Sequence, residues 1–169
     1  MFLYLTKTFF MKKLLFIHLA LCFVVLSCKK DDNTNPQSII TNASMIAKID
    51  GTSWNSVTRV TIQKSGIFLI TGTSVDGKLI EITVKGTTIG TYNLLASMDS
   101  AAAQCGSIYK PSINNNDSTY ASKSGQVKIS SIDTENKLIS GTFNFVVTNL
   151  EITKNITDGK FTDLKYQIQ

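Results

Sequence analysis

The sequence contains very little histidine, proline, tryptophan or cysteine. Its 169 residues include one histidine, two prolines, one tryptophan and three cysteines. The histidine, His18, lies in the apolar segment near the start of the chain, so the remainder offers no imidazole. Because the usual serine and cysteine triads and most zinc sites depend on histidine, this absence excludes them from the remainder.

The three cysteines are placed so that a disulfide framework is excluded. Cys22 lies in the apolar start and Cys28 directly after it, which leaves Cys105 alone in the rest of the chain. A single thiol cannot form an intramolecular disulfide, and without histidine it lacks its usual activating partner. We therefore expect Cys105 to be buried and inert.

Clustered positive charge is also missing, despite a formal net charge of +5. Lys7, Lys12 and Lys13 lie near the start of the chain, and the other lysines are scattered and nearly balanced by acidic residues. The sequence has no Gly-Lys-Ser/Thr loop for phosphate and no dinucleotide-binding glycine pattern. We therefore expect no nucleic-acid partner and no cofactor.

A secretory signal is present at the start of the chain. From Met11 the sequence reads Met-Lys-Lys, followed by an apolar stretch from Leu14 to Leu26. A charged segment, an apolar segment and a small residue in this order are typical of a signal peptide. The apolar stretch is shorter than the roughly 20 residues that a membrane-spanning helix needs. Either Met1 or Met11 is the start site.

The end of this apolar stretch, Val25-Leu26-Ser27-Cys28, resembles a lipobox, at which the leader is removed once the cysteine carries lipid. We expect residues 1–27 to be a lipoprotein signal peptide and Cys28 to be the lipidated first residue. Each buried methylene contributes about 0.8 kcal/mol, so two or three acyl chains on one residue hold a protein firmly. Lipid, rather than protein, would make the membrane contact.

Residues 28–44 are expected to form the lipidated cysteine and a flexible tether, because the segment is polar and contains Pro36. Within it, Lys30, Asp31 and Asp32 resemble the Lys-Asp-Asp type export signal of Bacteroidota lipoproteins. The alternative is a solvated, charged start of the tether. We expect a protein anchored in the outer membrane, on the cell surface or, alternatively, on the periplasmic face.

Residues 45–169 contain short apolar runs separated by Gly, Asn and Asp. Ile80, Ile82 and Val84 alternate with polar residues, and the same alternation recurs in residues 127–129, 139–147 and 164–168. Alternation with a period of two predicts strands with one buried and one exposed face. We predict a single all-β domain, an antiparallel sandwich or partly open barrel of about eight strands.

Aspartate-glycine pairs mark the expected hairpin turns, because such turns need residues that accept a positive φ. They are Asp50-Gly51, Asp76-Gly77 and Asp158-Gly159. None is followed by the acidic spacing of a calcium loop, so we predict no metal site. The alanine-rich segment from Leu94 to Gln104 favours a short helix or a crossover, and residues 111–118 read as a loop.

Five aromatic residues are expected in the core. They are Trp54, Phe68, Phe143, Phe145 and Phe161. For Trp54 the alternative is an exposed platform on which a sugar ring stacks.

Carboxylates are the remaining catalytic candidates, since a pair of them can hydrolyse a glycoside. The candidates are Asp50, Asp76, Glu81, Asp99, Asp117, Asp133, Glu135, Glu151, Asp158 and Asp163. Most lie in expected turns or on exposed strand faces, which disfavours catalysis. Separately, Ser100 and Ser118 each follow an aspartate in a pattern that resembles the O-glycosylation sequon of Bacteroidota, although such short patterns also arise by chance.

Several segments, taken in order, resemble an uncharacterised family of Bacteroidota lipoproteins, a domain of unknown function. The segments are Ile49-Asp50-Gly51 with Trp54 nearby, Gly90-Thr91-Tyr92, Ser124-Gly125, Ile139 to Phe143 and Ile156 to Phe161. The resemblance covers most of residues 45–169. It implies that these residues determine the fold, and it carries over no catalytic role.

Together these observations favour a lipid-anchored, non-enzymatic binding or accessory module of the cell envelope. Its ligand would be a glycan, a protein or a small apolar molecule, contacted through loops or one sheet face. The alternatives are a structural or assembly protein of the periplasm and a glycoside hydrolase that uses carboxylates alone.

Overall fold

The computed structural model describes residues 42–94, 101–115 and 118–169, and within these ranges the chain forms nine β-strands. They are β1 (Ser44–Ile49), β2 (Thr52–Lys64), β3 (Ile67–Ser74), β4 (Leu79–Lys85), β5 (Gly90–Leu94), β6 (Cys105–Lys110), β7 (Tyr120–Asp133), β8 (Leu138–Asn149) and β9 (Ile152–Ile168). The predicted all-β domain is confirmed. Over the same ranges, no helix is long and apolar enough to cross a membrane.

The predicted helical segment is mostly beyond what the structure describes. Leu94 ends β5, residues 95–100 lie outside the described ranges, and residues 101–104 form a turn and irregular chain.

Eight of the strands close into an antiparallel barrel. Hydrogen-bonded neighbours follow the order β7, β6, β4, β3, β2, β1, β9, β8, and β8 pairs back with β7. The extra strand, β5, pairs with Gly125–Ile129 of β7, beyond the short stretch where β6 pairs with the same strand. The barrel, one of the two architectures that the sequence left open, is therefore correct, and it is closed rather than partly open.

Strand β1 fills only part of the gap between β2 and β9. It pairs antiparallel with both strands. Elsewhere in this gap β2 and β9 pair directly and in parallel, through Thr61–Gln63 and Tyr166–Ile168. Closure of the barrel at this seam therefore depends on β1 over one part and on the β2–β9 contact over the other.

The barrel interior is filled by the apolar side chains that alternate along the strands. Ile80, Ile82 and Val84 of β4 are completely buried, as the alternation predicts. The five predicted core aromatics are each at most 3% exposed. Of the predicted last strand, Leu164 and Tyr166 are buried, whereas Ile168 is exposed at its end.

Three of the buried phenylalanines each lie opposite a glycine on the neighbouring strand. The pairs are Gly125 with Phe145, Gly141 with Phe161 and Gly159 with Phe143. A Cβ atom on any of these glycines would come within 3.0 Å of its partner's ring and of a backbone oxygen. Because the rings occupy the space that a side chain would need, these glycines are requirements of core packing.

Two of the three predicted Asp-Gly turns are confirmed. Asp50-Gly51 joins β1 to β2, and Asp76-Gly77 joins β3 to β4. The third prediction is wrong, because Asp158-Gly159 lies inside β9, where Asp158 has a φ of 53° and the register with β8 shifts. Some β-bulges contain a residue with positive φ, as some hairpin turns do, so the dipeptide alone does not distinguish them.

Candidate functional site

One end of the barrel contains a pocket of about 490 Å³. Its walls come from the β1–β2 hairpin, the β3–β4 turn, β6 and the beginning of β9. The side chains that give it chemical character are Trp54, Tyr109 and two lysine–aspartate pairs. Pockets that bind small molecules typically have volumes of roughly 300–1,000 Å³, so this one is of suitable size.

The first ion pair joins the β1–β2 turn to β9. Lys154 Nζ lies 2.9 Å from Asp50 Oδ2, and the Asn155 amide donates to Asp50 Oδ1 at 2.8 Å. The hydrogen bond from the Asn155 backbone amide, and then the hydrogen bond from Lys154, lower the pKa of Asp50. The same carboxylate raises the pKa of Lys154. Both groups are therefore charged at neutral pH.

The second ion pair lies within the β3–β4 turn. Lys78 Nζ is 2.7 Å from Asp76 Oδ2, and the Ser74 hydroxyl donates to Asp76 Oδ1. Ser74 Oγ also accepts a hydrogen bond from the Lys78 amide at 3.1 Å. Lys78 and then Ser74 lower the pKa of Asp76 to about 2. The turn therefore presents a fixed pair of opposite charges to the pocket.

Trp54 connects this turn to the core. Its ring is 3% exposed, and its Nε1 donates to the Lys78 carbonyl oxygen at 3.1 Å. The interpretation of Trp54 as an apolar anchor is therefore confirmed, and the alternative of an exposed sugar-stacking platform is wrong.

Tyr109 lies against the pocket on β6. Its ring centroid is 5.7 Å from that of Tyr120. Burial raises the pKa of Tyr109, and the positive charges of Lys78 and Lys154 oppose that rise. Tyr109, Lys78 and Lys154 line the same pocket.

A second pocket, of about 700 Å³, lies at the same end of the barrel. It is lined by Ser118, Tyr120, Asn149, Leu150, Glu151 and Ile152. Leu150 is 94% exposed and Ile152 60%, and Val75 beside the first pocket is 88% exposed. Exposed, large apolar side chains therefore lie at this end of the barrel, in two turns and at the start of β9.

The structure brings together two of the ten candidate carboxylates, Asp50 and Asp76, in the first pocket. Asp158 instead pairs with Lys48 at 2.9 Å, and Asp133 accepts the amides of Glu135 and Asn136 in the β7–β8 turn. Glu151 lines the second pocket. Glu81 and Asp163 lie on other parts of the barrel wall, and Asp99 and Asp117 lie outside the described residues.

Lys78, Tyr109 and Lys154 are site residues that the sequence reasoning missed. Lys78 lies in the β3–β4 turn, Tyr109 on β6 and Lys154 on β9. The three residues are far apart in the sequence, and no short motif contains them. Barrel closure alone brings them to one pocket. The one available signal was that Lys78 directly follows the predicted Asp76-Gly77 turn.

The remaining predicted positions are distributed as follows. Cys28, Lys30, Asp31, Asp32 and Ser100 lie outside the described residues, whereas Ser118 is half-buried in the second pocket. Cys105 is buried as predicted, and its Sγ donates to the Tyr92 main-chain carbonyl oxygen at 3.1 Å. Burial raises the pKa of the Cys105 thiol to about 11. In the part of the chain that the structure describes, no three His, Cys, Asp or Glu side chains are grouped to hold a metal ion.

Comparison with known proteins gives one finding. No curated protein and no solved structure matches the chain. The sequence profile of a domain of unknown function, DUF6252, matches residues 41–165, which include every residue of the first pocket. The chain therefore belongs to the DUF6252 family.

Proposed function

We propose that this protein is a lipid-anchored, non-enzymatic binding module of the cell envelope, and that the pocket beside Trp54 and Tyr109 is its ligand site. The observation that supports this most strongly is the composition of the pocket. Ion pairs exposed to solvent contribute little to stability, typically about 0–1 kcal/mol. Two such pairs line one pocket of about 490 Å³. Because they add little to stability, their placement in the same pocket supports a role in binding.

The chemistry of the pocket supports binding rather than glycoside hydrolysis. That reaction needs one carboxyl group that stays protonated near neutral pH, so its pKa must be raised. Asp50 and Asp76 both have lowered pKa values. Lys78 and Lys154 have raised pKa values and remain protonated, so neither is an activated nucleophile.

The location in this proposal rests on the sequence. Lipid on Cys28 would anchor the chain, and the polar residues up to Ser44 would separate the barrel from the membrane. We place the anchor in the outer membrane, with Lys30, Asp31 and Asp32 directing the barrel to the cell surface.

Ligand binding is tested by thermal unfolding with a panel of glycans, short peptides and small apolar molecules. A ligand that binds the folded state raises Tm by mass action. Thr52→Phe places a bulky ring at the pocket wall and should abolish the rise, whereas Thr58→Phe, on an exposed part of β2 away from the pocket, should preserve it. If no compound raises Tm, or if Thr52→Phe leaves the rise unchanged, the pocket is not the ligand site.

Anchoring and exposure are tested on cells. Intact mass of the membrane-purified protein should show acyl chains on Cys28, and a Cys28→Ala variant should leave the membrane fraction. Protease added to whole cells should remove the domain. A variant that stays membrane-bound without acyl mass would contradict the anchor, and a protected domain would contradict the surface location.

One observation favours a second candidate, a structural or assembly protein of the periplasm. Val75, Leu150 and Ile152 are more than half exposed at one end of the barrel, the first two in turns and Ile152 at the start of β9. Apolar side chains grouped in this way are typical of protein contacts. Protection from added protease, together with cross-links from these turns to one reproducible envelope protein, would support this candidate over the first.

A further inference from the structure

We infer that the pocket recognises a neutral saccharide, and that each lysine–aspartate pair in it binds two neighbouring hydroxyl groups of a sugar ring. This inference rests on the proposed binding role and specifies the class of the ligand. Three observations support it: the balance of charge in the pocket, the similar numbers of donors and acceptors that the two pairs leave free, and the spacing of their charged atoms.

The charged side chains of the pocket cancel. Its lining contains two aspartates and two lysines, which form two ion pairs. The side chains of Asp76 and Asp50 are 51% and 41% exposed, and those of Lys78 and Lys154 are 39% and 29% exposed. Both signs of charge are therefore accessible in each pair, and the lining carries no net charge that would select a charged ligand.

Each pair keeps donors and acceptors in similar number. An ammonium group has three N–H donors, and the ion pair uses one of them. Each aspartate accepts one hydrogen bond from its lysine and one from a second donor, which is the Asn155 amide or the Ser74 hydroxyl. An ionised carboxylate has about four acceptor sites, so about two acceptors and two donors stay free in each pair. Such a pair suits hydroxyl groups, because a hydroxyl group both donates and accepts.

The spacing of the charged atoms matches that of neighbouring hydroxyl groups. Lysine Nζ and aspartate Oδ2 are 2.7 Å apart in the Lys78–Asp76 pair and 2.9 Å apart in the Lys154–Asp50 pair. Two hydroxyl oxygens on adjacent ring carbons, staggered at about 60°, lie one hydrogen-bond length apart, roughly 2.8 Å. One hydroxyl can therefore accept from the ammonium while its neighbour donates to the carboxylate. Both of these hydrogen bonds involve a charged group, which makes them roughly twice as strong as neutral ones.

The rest of the lining suits a sugar better than a peptide. Thr52 adds an exposed hydroxyl group, and the largely exposed Val75 offers an apolar surface to the C–H groups of a ring. Extended peptides are commonly held by the backbone of a free strand edge. Beside the pocket, the Asn155 amide and carbonyl of β9 are already bonded to the side chain and the amide of Asp50. Strand β6 is paired on both sides where it lines the pocket.

Calorimetric titration tests the inference on the full chain, isolated in a polyoxyethylene detergent that carries no sugar. The neutral probes are methyl glucoside, methyl galactoside, maltose and cellobiose. Glucuronate and glucosamine are their charged counterparts, glycine is a zwitterion, and N-acetylglycinamide stands for a peptide. We expect at least one neutral sugar to bind at least as tightly as both charged sugars, and about tenfold more tightly than glycine or N-acetylglycinamide.

Substitutions show whether the donor and the acceptor of a pair are both used. Lys78→Ala and Asp76→Ala, made separately, should each weaken binding of that sugar about tenfold, because each removes a hydrogen bond to a charged group. Lys48→Ala is the control for the lysine, because Lys48 pairs with Asp158 outside the pocket. Asp133→Ala, in the β7–β8 turn, is the control for the aspartate. Both controls should bind the sugar like the wild type.

Thermal unfolding checks that each variant is folded. If a variant of the β3–β4 turn does not fold, Lys154→Ala and Asp50→Asn address the same question at the second pair, where each should also weaken binding. Asparagine is chosen for Asp50 because this position has a φ of 48°, which asparagine tolerates better than alanine.

The outcomes separate the inference from the proposed function. Tighter binding of glucuronate or glucosamine than of every neutral sugar would show recognition of a charge and overturn the inference. A loss of affinity confined to the lysine variant or to the aspartate variant would overturn it as well, and so would tightest binding of glycine or N-acetylglycinamide. The binding role stands in each of these cases. If no sugar binds but another compound of the ligand panel does, only the inference is overturned, and if nothing binds, both are.

Discussion

At the scale of single residues, Asp76 provides a measurable signature of the pocket. Lys78 and Ser74 lower the pKa of its carboxyl group from the usual 3.8 to about 2. Because the folded-state pKa lies below the unfolded-state value, this group stabilises the fold above about pH 4, and the contribution is lost as the pH falls towards 2. Carbon-detected NMR of the side-chain carboxyl should show Asp76 titrating near pH 2.

The cause of that shift can be assigned by substitution. In Lys78→Gln the largest cause disappears, so the pKa of Asp76 should rise towards 3.8. Lys48→Gln removes an ion pair whose two residues do not line the pocket, and it should leave the titration of Asp76 unchanged. A wild-type carboxyl that already titrates near 3.8 would show that the ion pair does not form in solution.

A second residue-scale prediction concerns two buried serines on neighbouring strands, Ser107 on β6 and Ser122 on β7. Ser107 Oγ is buried and, within the described chain, has no hydrogen-bond partner. Ser122 Oγ accepts the Ser107 amide at 2.8 Å, just beyond the point where β6 and β7 stop pairing. A buried polar group without a hydrogen-bond partner lowers the free energy of unfolding, whereas a buried hydrogen bond that is formed raises it.

Substitution by alanine should therefore affect these two serines in opposite directions. Ser107→Ala should raise the free energy of unfolding by about 1 kcal/mol, since it removes an unsatisfied hydroxyl. Ser122→Ala should lower it by about 1–3 kcal/mol, because the Ser107 amide loses its acceptor. Urea denaturation measures both. Changes of the same sign in the two variants would contradict this assignment.

At the scale of the strands, the pairing of glycine with phenylalanine should control stability. In Gly159→Ala the new methyl group would meet both the backbone oxygen and the ring of Phe143. We expect overpacking to lower the free energy of unfolding by about 1–3 kcal/mol. Gly90→Ala is the control, because a Cβ there meets nothing within 4 Å, and its effect should stay within about 0.5 kcal/mol. Equal losses in denaturant midpoint would refute the packing argument.

The strands also show which features of the fold can be predicted from local sequence patterns. Alternation along β4, β7 and β8 predicts both the strands and their buried faces, because successive side chains on a strand point to opposite sides. Pairing between strands that are far apart in the sequence is not local, so the antiparallel pairing of β1 with β9 and the parallel contact of β2 with β9 have no sequence signature. Asp158-Gly159 was misread as a turn for a related reason, since a positive φ serves a bulge as well as a hairpin.

Only the part of the candidate site that lies in local turns could be predicted from the sequence. Asp50 and Asp76 were recognisable as turn residues, and the turns do form one side of the pocket. Lys154 and Tyr109 reach the pocket only because β9 and β6 take particular places in the barrel order. A site assembled by closure rather than by a contiguous motif therefore could not be read from the sequence.

At the scale of the whole molecule, closure of the barrel depends on the short strand β1. Strand β1 hydrogen-bonds to both β2 and β9, and it contributes Met45, Ala47 and Ile49 to the core. Without β1, the neighbouring edges of β2 and β9 would lie open over part of their length. Burial of a large apolar side chain contributes about 1.5–3 kcal/mol, and a domain is typically stable by only about 5–15 kcal/mol.

Two truncations test this dependence. A chain that begins at Asn42 keeps β1 entire, and we expect it to unfold cooperatively with a high Tm in circular dichroism. A chain that begins at Gly51 lacks β1, and we expect it to lose about 5 kcal/mol or more, leaving it largely unfolded. A synthetic peptide of residues 42–50 should restore β-structure to the shorter chain if the loss comes from the missing strand. If the chain from Gly51 unfolds at the same temperature as the longer one, β2 and β9 close the barrel by themselves, and β1 serves chiefly to position Asp50 at the pocket.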